Sequence, residues 1–191
     1  AASLGLAEAS TIANVTSCPG AESCRLAVTQ SRGLGRLLEE YLRARPDLIA
    51  RADGARIKIS GCPNGCGQHH IATIGFQGSV RRLGGKAVPQ YFLMLGGQVG
   101  EERADFGRVV AKIPVRRLTG AVERLVVHYR NTHVGDERAA AFFQKMTIED
   151  VKVVLGDLEG LTITTATAED YMDLDQATEF NPEVMDGECS A

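Results

Sequence analysis

At 191 residues, 44% hydrophobic and 24% charged, the chain is long enough to bury a core and has the composition of one globular domain with an appendage. No apolar run reaches about eighteen residues and no basic patch precedes an apolar stretch near the N-terminus, which predicts neither a membrane span nor a secretory leader and a soluble, cytoplasmic setting. The formal charge of -3 hides an asymmetry, because residues 1–146 carry 20 Lys+Arg against 12 Asp+Glu while residues 147–191 carry 1 against 12.

A basic body of this kind suits an anionic cofactor or partner, or is simply a solvated face. Without aromatic residues interleaved among the arginines it is a poor match for nucleic acid. The chain opens Ala1-Ala-Ser-Leu-Gly with no methionine, so residues 1–11 read as a lead-in cut from a longer polypeptide. Thr11-Ile-Ala-Asn-Val-Thr16 predicts a short strand, and Pro19-Gly20 forces a turn after it. A helix is predicted from Glu22 to Arg45, since Leu34, Leu37, Leu38, Tyr41 and Leu42 form one apolar stripe, and Pro46 closes it. Gly33 and Gly35 would weaken that helix and mark a close approach of its backbone to something else.

Arg56-Ile-Lys-Ile-Ser60 alternates polar and apolar residues as a half-buried strand does. Further strands are predicted over Ile71 to Phe76, Gln90 to Leu95 and Arg108 to Val115, with Arg81-Arg82-Leu-Gly-Gly-Lys86 as a basic, glycine-rich loop. Leu118, Val122, Leu125, Val126 and Tyr129 give a second amphipathic helix, and Glu137 to Met146 a third. Thr147-Ile-Glu-Asp150 has the form of a capping box, with Asp in place of Glu, and opens one more short helix. Beyond Leu161-Thr-Ile-Thr-Thr165 the chain is acidic and poor in apolar residues, which predicts a loosely held tail. The fold class is α/β, of the mixed α+β kind, a sheet flanked by helices and carrying cysteines on its loops.

Those cysteines carry the chemistry. Cys18 and Cys24 stand as C-x5-C in Ser17-Cys-Pro-Gly-Ala-Glu-Ser-Cys24, and Cys62 and Cys66 as C-x3-C in Gly61-Cys-Pro-Asn-Gly-Cys66. Each pair follows a predicted strand. An odd total of five, tight pairs and no leader point to reduced thiols that bind metal rather than to disulfides. Four thiolates on tight loops suit a 4Fe-4S cluster, whose negative charge needs backbone N–H groups aimed at sulfur. Gly20, Gly61, Gly65 and Gly67 flank the cysteines, and Pro19 and Pro63 fix the backbone after the first of each pair. Zinc is the competing metal, although its knuckles favour shorter pairs. His69 and His70 follow the second pair and read as bystanders, as does Cys189 in the acidic tail.

Cys18-x5-Cys24 followed by Gly61-Cys-Pro-Asn-Gly-Cys66 resembles the signature of the sirohaem-dependent nitrite and sulfite reductases, in their C-terminal 4Fe-4S and sirohaem-binding half. The likeness runs on through Ile71 to Phe76 and Leu95-Gly-Gly97, so residues 12–146 are expected to form the cluster domain and residues 147–191 an acidic C-terminal extension with no counterpart. The resemblance implies that Cys18, Cys24, Cys62 and Cys66 bind the cluster. It further implies that Cys66 ligates the sirohaem iron as a bridging thiolate and that Asn64 lies against the macrocycle, although Asn64 also reads as a plain turn residue. Sirohaem is a polycarboxylate, and Arg25, Arg56, Lys58, Arg81, Arg82 and Lys86 are the basic residues nearest the motif in sequence.

The implied reaction is six-electron reduction of sulfite to sulfide or of nitrite to ammonia, with electrons from ferredoxin or a flavoprotein donor. In the family the substrate anion is gripped by basic residues of the N-terminal half, to which nothing in this sequence corresponds, so the isolated chain is expected to lack a complete substrate site. A stand-alone iron-sulfur electron-transfer or structural module without sirohaem is the alternative, and a degenerate subunit with an assembly role a third; intact cysteines speak against the last. No G-x-G-x-x-G fingerprint for a dinucleotide occurs.

Overall fold

The computed structural model describes residues 11–52, 54–100 and 104–182, so Cys189 lies outside the described residues. Its centre is a hairpin of β3 (Ile74–Leu83) and β4 (Lys86–Leu95), antiparallel and in register from Ile74↔Leu95 to Leu83↔Lys86. The two residues between them, Gly84 and Gly85, have φ of 59° and 82°. Two successive positive φ values match the right-handed twist of the flanking strands, and glycine takes them without cost. The expected basic loop is therefore only a two-residue turn, with Arg81 and Arg82 inside β3.

Around this hairpin a five-stranded mixed sheet runs in the order β1-β2-β3-β4-β7. β1 (Thr16–Ser17) and β2 (Ile57–Ser60) are parallel to each other and to β3, and β7 (Arg108–Pro114) is antiparallel to β4. A small ribbon of β5 (Gln98–Val99) and β6 (Ala104–Asp105) stands apart from the sheet. Of the strand predicted over Thr11–Thr16 only Thr16 is in β1; residues 11–14 form a turn instead, with Asn14 N–H donating to Thr11 O at 3.1 Å, although Ile12, Ala13 and Val15 are still buried.

The helices close the core. α1 (Ser31–Arg43) buries Leu34, Leu38 and Leu42, and α3 (Leu118–Thr132) buries Leu118, Ala121, Val122, Leu125, Val126 and Tyr129. Both pack into one apolar cluster with Phe76, Tyr91, Leu93 and Ile113 of the sheet. The predicted first helix starts nine residues too early, and Pro46 does not merely close it: α2 (Pro46–Arg51) begins there, with proline where its missing N–H costs nothing. Gly33 and Gly35 do mark close approaches, since a Cβ on them would stand 2.7 Å from an Asp175 carboxylate oxygen and 2.9 Å from the Ser17 hydroxyl. α4 (Ala139–Lys145) and α5 (Ile148–Glu159) follow, and the Thr147–Asp150 capping box is made in both directions.

α5 packs on β7 and α3. Its C-terminal carbonyls are gathered by Arg81 (to Glu159 O, 2.8 Å) and Arg117 (to Leu158 O, 3.1 Å, and Gly160 O, 3.0 Å), where the helix dipole favours cations. Arg124 grips Asp157 through both guanidinium nitrogens, at 2.5 and 2.9 Å. Residues 160–182 after α5 are held as well, contrary to the expectation of a loose tail there, while the rest of that tail lies outside the described residues. Leu161, Asp170, Asp173, Leu174 and Phe180 are buried, Arg36 pairs with Asp175 at 2.5 Å, and Lys86 pairs with Glu179. Part of the positive charge of the body is thus answered by the chain's own acidic end.

Asp173 fixes this strap to the entrance of α1, its carboxylate accepting from the Gln30 and Leu174 N–H groups at 2.8 Å each. Burial nevertheless pushes its carboxyl up to about 6, the two N–H bonds and the nearby Arg116 opposing the rise and Asp175 adding to it. A carboxyl raised in the folded state keeps a proton that the unfolded chain has released, so stability should fall as pH rises from about 4 to about 6, by roughly 2–3 kcal/mol. Asp173→Asn should flatten that slope in thermal unfolding between those pH values, whatever constant offset the lost acceptor adds.

Candidate cluster site

Because β1 and β2 are adjacent and parallel, their C-terminal ends emerge on the same side of the sheet, with Ser17 in register with Ile59. Cys18 follows the first strand directly and Cys62 follows the second after one residue, so the topology itself brings the two cysteine loops together. The Cys18 N–H donates to Ile59 O at 3.1 Å, continuing the ladder one step past the strand. The chain then turns at Gly20, whose φ of 65° suits glycine, and the Cys24 N–H closes onto Gly20 O at 2.9 Å.

Gly61 is the joint between the loops. Its carbonyl accepts from Val28 N–H at 2.8 Å and Thr29 N–H at 3.2 Å, and its own N–H points at Cys18 Sγ, 3.3 Å away. A Cβ here would stand 2.7 Å from Thr29 O and 3.2 Å from both Ala27 and Gly20. Residues 23–30, predicted as helix, instead turn within the loop at Ser23, Cys24 and Ala27 and give the Val28 and Thr29 N–H groups to this joint.

The second loop is braced by a chain of hydrogen bonds. Gly67 N–H donates to Ser60 Oγ at 3.0 Å, Ser60 lies 2.8 Å from His69 Nδ1, and His69 Nε2 lies 3.2 Å from Gln77 Oε1. These roles are consistent with a neutral imidazole protonated at Nε2. Burial, and secondarily the neighbouring His70, lower His69 to about 4, which agrees. His70 stacks on His69 with ring centroids 3.8 Å apart and lies 5.8 Å from the Phe106 ring. His69 therefore supports the loop.

The four thiols differ in exposure. Cys18 and Cys62 are buried, Cys24 is half-buried and Cys66 is exposed; none is in a disulfide. Ser31, at the start of α1, places its hydroxyl 3.1 Å from Cys18 Sγ and 3.0 Å from Cys18 O. Once Cys18 is a thiolate, the Gly61 N–H donates to its sulfur, and the Ser31 hydroxyl joins it by turning its single hydrogen from Cys18 O to Sγ. Among the described residues no three His, Cys, Asp or Glu side chains gather tightly enough to share one metal ion. A four-iron cage asks for something different, one thiolate per iron and hence a wider spacing.

A cleft of about 400 Å³ opens beside Cys24 between the first loop and the strap, lined in part by Arg25, Val28, Phe180 and Pro182. Asn64 is exposed on the second loop. Of the basic residues nearest the motif, Arg81 is engaged by Gln90, Glu159 and Lys112, Lys86 by Glu179, and Lys58 by Gln68. Arg25, Arg56 and Arg82 are exposed. Sequence reasoning missed Ser31, Thr29 and the strap, which meet the motif only through the tertiary fold; Gly61 was visible as a glycine but not as the joint.

Residues 8–160 match the family model described as the nitrite and sulphite reductase 4Fe-4S domain. A ferredoxin–nitrite reductase of Leptolyngbya laminosa is 34% identical over 119 residues, 62% of this chain and 22% of that protein. A sulfite reductase [ferredoxin] of Mycobacterium tuberculosis is 30% identical over 144 residues, 73% of this chain and 26% of that one. The solved NirA protein of Mycobacterium tuberculosis superposes with a TM-score of 0.66 at 30% identity, over 72% of this chain and 26% of its own. A dissimilatory sulfite reductase shares the fold alone, at 11% identity and a TM-score of 0.53. The chain spans about a quarter of the length of the curated relatives it matches. With the paired-cysteine loops on adjacent parallel strands and a match over residues 8–160, the chain belongs to the nitrite and sulphite reductase 4Fe-4S domain family.

Proposed function

We propose that this chain is the cluster-bearing part of a sirohaem-dependent reductase that converts sulfite to sulfide or nitrite to ammonia. Cys18, Cys24, Cys62 and Cys66 would hold the 4Fe-4S cluster, and Cys66 would also serve the sirohaem. The observation that carries this reading is the Gly61 joint, which locks the two cysteine loops together at one end of the sheet and turns an N–H toward Cys18 Sγ.

The residues present fit the group. Four cysteines outside any disulfide supply the soft ligands iron takes, and Gly20 and Gly61 let the two cysteine loops close on each other where a Cβ would strike Ser31 N and Thr29 O. Burial is graded so that Cys18 and Cys62 anchor the inner side while exposed Cys66 is the thiol able to face a second group. When bound, the cluster and sirohaem supply one-electron transfer and an iron at which the anion is reduced. The chain's own task is to keep the thiolates ionised, to donate N–H and O–H bonds to them, and to hold the second loop rigid through Ser60 and His69. Asn64 lies on the exposed turn between Cys62 and Cys66 and is assigned to the macrocycle face.

The substrate-gripping residues are assigned to an N-terminal half of the same enzyme, and the electron donor is ferredoxin or a flavoprotein. Ferredoxin is named in the relatives from Leptolyngbya and Mycobacterium. No helix among the described residues is long and apolar enough to cross a membrane, and reduced thiols suit a cytoplasmic setting. The test is iron, sulfide and tetrapyrrole analysis of the anaerobically purified full-length protein, with absorption and EPR spectra. Four iron and four sulfide per chain (roughly, beyond the haem iron) with one tetrapyrrole is expected. Cluster without tetrapyrrole would identify an electron-transfer module instead, and zinc in place of iron would end the redox reading.

A further inference from the structure

Tyr91 sits in the middle of β4, fully buried, and its hydroxyl, although it lies near the Thr29 side chain, has no partner at hydrogen-bond distance among the described residues. A buried donor without a partner is rare and points either to strain or to a group that the protein is built to receive.

The register shows where this hydroxyl is directed. Tyr91 is paired directly with Gly78 of β3, and residues opposite each other in a sheet carry their side chains to the same face. On that face the space at Gly78 is bounded by Thr29 Oγ1 and Gly61 O, 2.1 and 2.4 Å from where a Cβ would stand. Thr29 and Gly61 are the two sides of the joint between the cysteine loops, and Gly61 gives its N–H to Cys18 Sγ. Phe76 holds the phenol ring edge-on, with centroids 6.4 Å apart. Thr29 directs its own hydroxyl to Gly61 O at 3.4 Å. Burial first, then nearby Asp173 and Cys18, hold the phenol well above its ordinary range, and the adjacent Thr29 hydroxyl, which opposes the rise, gives its own hydrogen to Gly61 O; the phenol is thus a neutral O–H donor.

We propose that the Tyr91 hydroxyl donates a hydrogen bond to sulfur at the Cys18 corner of the bound cluster and thereby raises the cluster's reduction potential. A donor at sulfur stabilises the more negative, reduced state, and hydrogen bonding of this kind is one of the ways a protein sets the potential of an iron-sulfur centre. Removing the oxygen while keeping the ring should therefore favour the oxidised cluster. Tyr91 acts as a positioning and tuning residue, not a ligand. The inference rests on the cluster reading of the four cysteines.

The test uses Tyr91→Phe in the full-length reductase, with cluster potential read by EPR-monitored titration and unfolding followed with and without the cluster. At least a threefold shift of the reduction equilibrium toward the oxidised form is expected, a fall of about 30 mV at 59 mV per tenfold for one electron. An exchangeable proton coupled to the reduced cluster, seen by ENDOR in H2O against D2O, should be lost. The cluster-free variant should melt no lower than the parent, because the hydroxyl removed has no protein partner. Unchanged potential and proton coupling in a protein that holds its cluster would overturn the inference and leave the cluster reading standing. A lower melting point of the cluster-free variant would overturn it too, by showing that the hydroxyl serves the apoprotein. If the parent holds no cluster at all, both readings fall.

Discussion

On the proposed function, Cys66→Ser in the full-length protein is expected to disturb two spectra at once, the EPR signal of the cluster and the absorption bands of the haem, and to lower turnover by more than about a hundredfold, the upper range for losing an outer-shell partner of a metal ligand. Cys66 is exposed on a turn, so the exchange removes little packing, and the stability of the apoprotein should change by no more than about 0.5 kcal/mol. What changes is the ligand. A serine hydroxyl is harder and far less acidic than a thiol, and iron-sulfur centres select soft thiolate. Cys24→Ser is the useful comparison, because Cys24 lies half-buried beside the cleft and is assigned to the cluster alone. It should alter the cluster signal and leave the haem absorption bands unchanged. A Cys66→Ser protein with an altered cluster but unchanged haem bands would remove the bridge, and one with neither altered would remove Cys66 from the site.

The second large effect concerns glycine, with the same substitution expected to act in opposite directions at two positions. At Gly67 an added Cβ would stand 1.8 Å from the Ile59 carbonyl oxygen and 3.1 Å from Ser60 Oγ. Neither can move aside cheaply, because Ile59 O holds Cys18 N–H and Ser60 Oγ joins Gly67 to His69. Gly67→Ala should therefore cost about 3 kcal/mol or more, at or beyond the upper end for overpacking, and loosen the second cysteine loop. Gly156, in the middle of α5, has nothing within 4 Å of the same added atom. Gly156→Ala should stabilise by about 0.5–1 kcal/mol, since it only restricts the unfolded chain and improves helix propensity. Denaturant midpoints of the two variants against the parent measure both, and a Gly67→Ala protein as stable as the parent would contradict the geometry.

Much of this was legible in the residues. The alternation of Arg56 to Ser60, the stripe on Leu118 to Tyr129 and the Thr147–Asp150 box each encode a local preference that the fold keeps. The cysteine spacing announced the family before any contact was known. What escaped were features decided by partners distant in sequence. Residues 23–30 have no local reason to avoid a helix; they do so because Val28 and Thr29 are drawn to a carbonyl more than thirty residues away. The acidic end looked loose because its apolar residues are few, yet Leu174 and Phe180 are buried and its carboxylates meet N–H groups and arginines that periodicity does not reveal. Tyr91 read only as one apolar position in a strand, since nothing in a linear pattern shows that a hydroxyl lacks a partner.

The bond from Gln30 N–H to Asp173 spans 143 residues of chain and ties the start of α1 to a segment made long after it. During synthesis the stretch carrying Cys18 to Cys66 leaves the ribosome well before residue 173 does, at about 5–20 residues per second. For those seconds the cysteine loops stand without this clasp. The clasp on α1 is therefore among the last contacts of that loop to become available, by nothing more than the separation in sequence of a backbone amide and its acceptor.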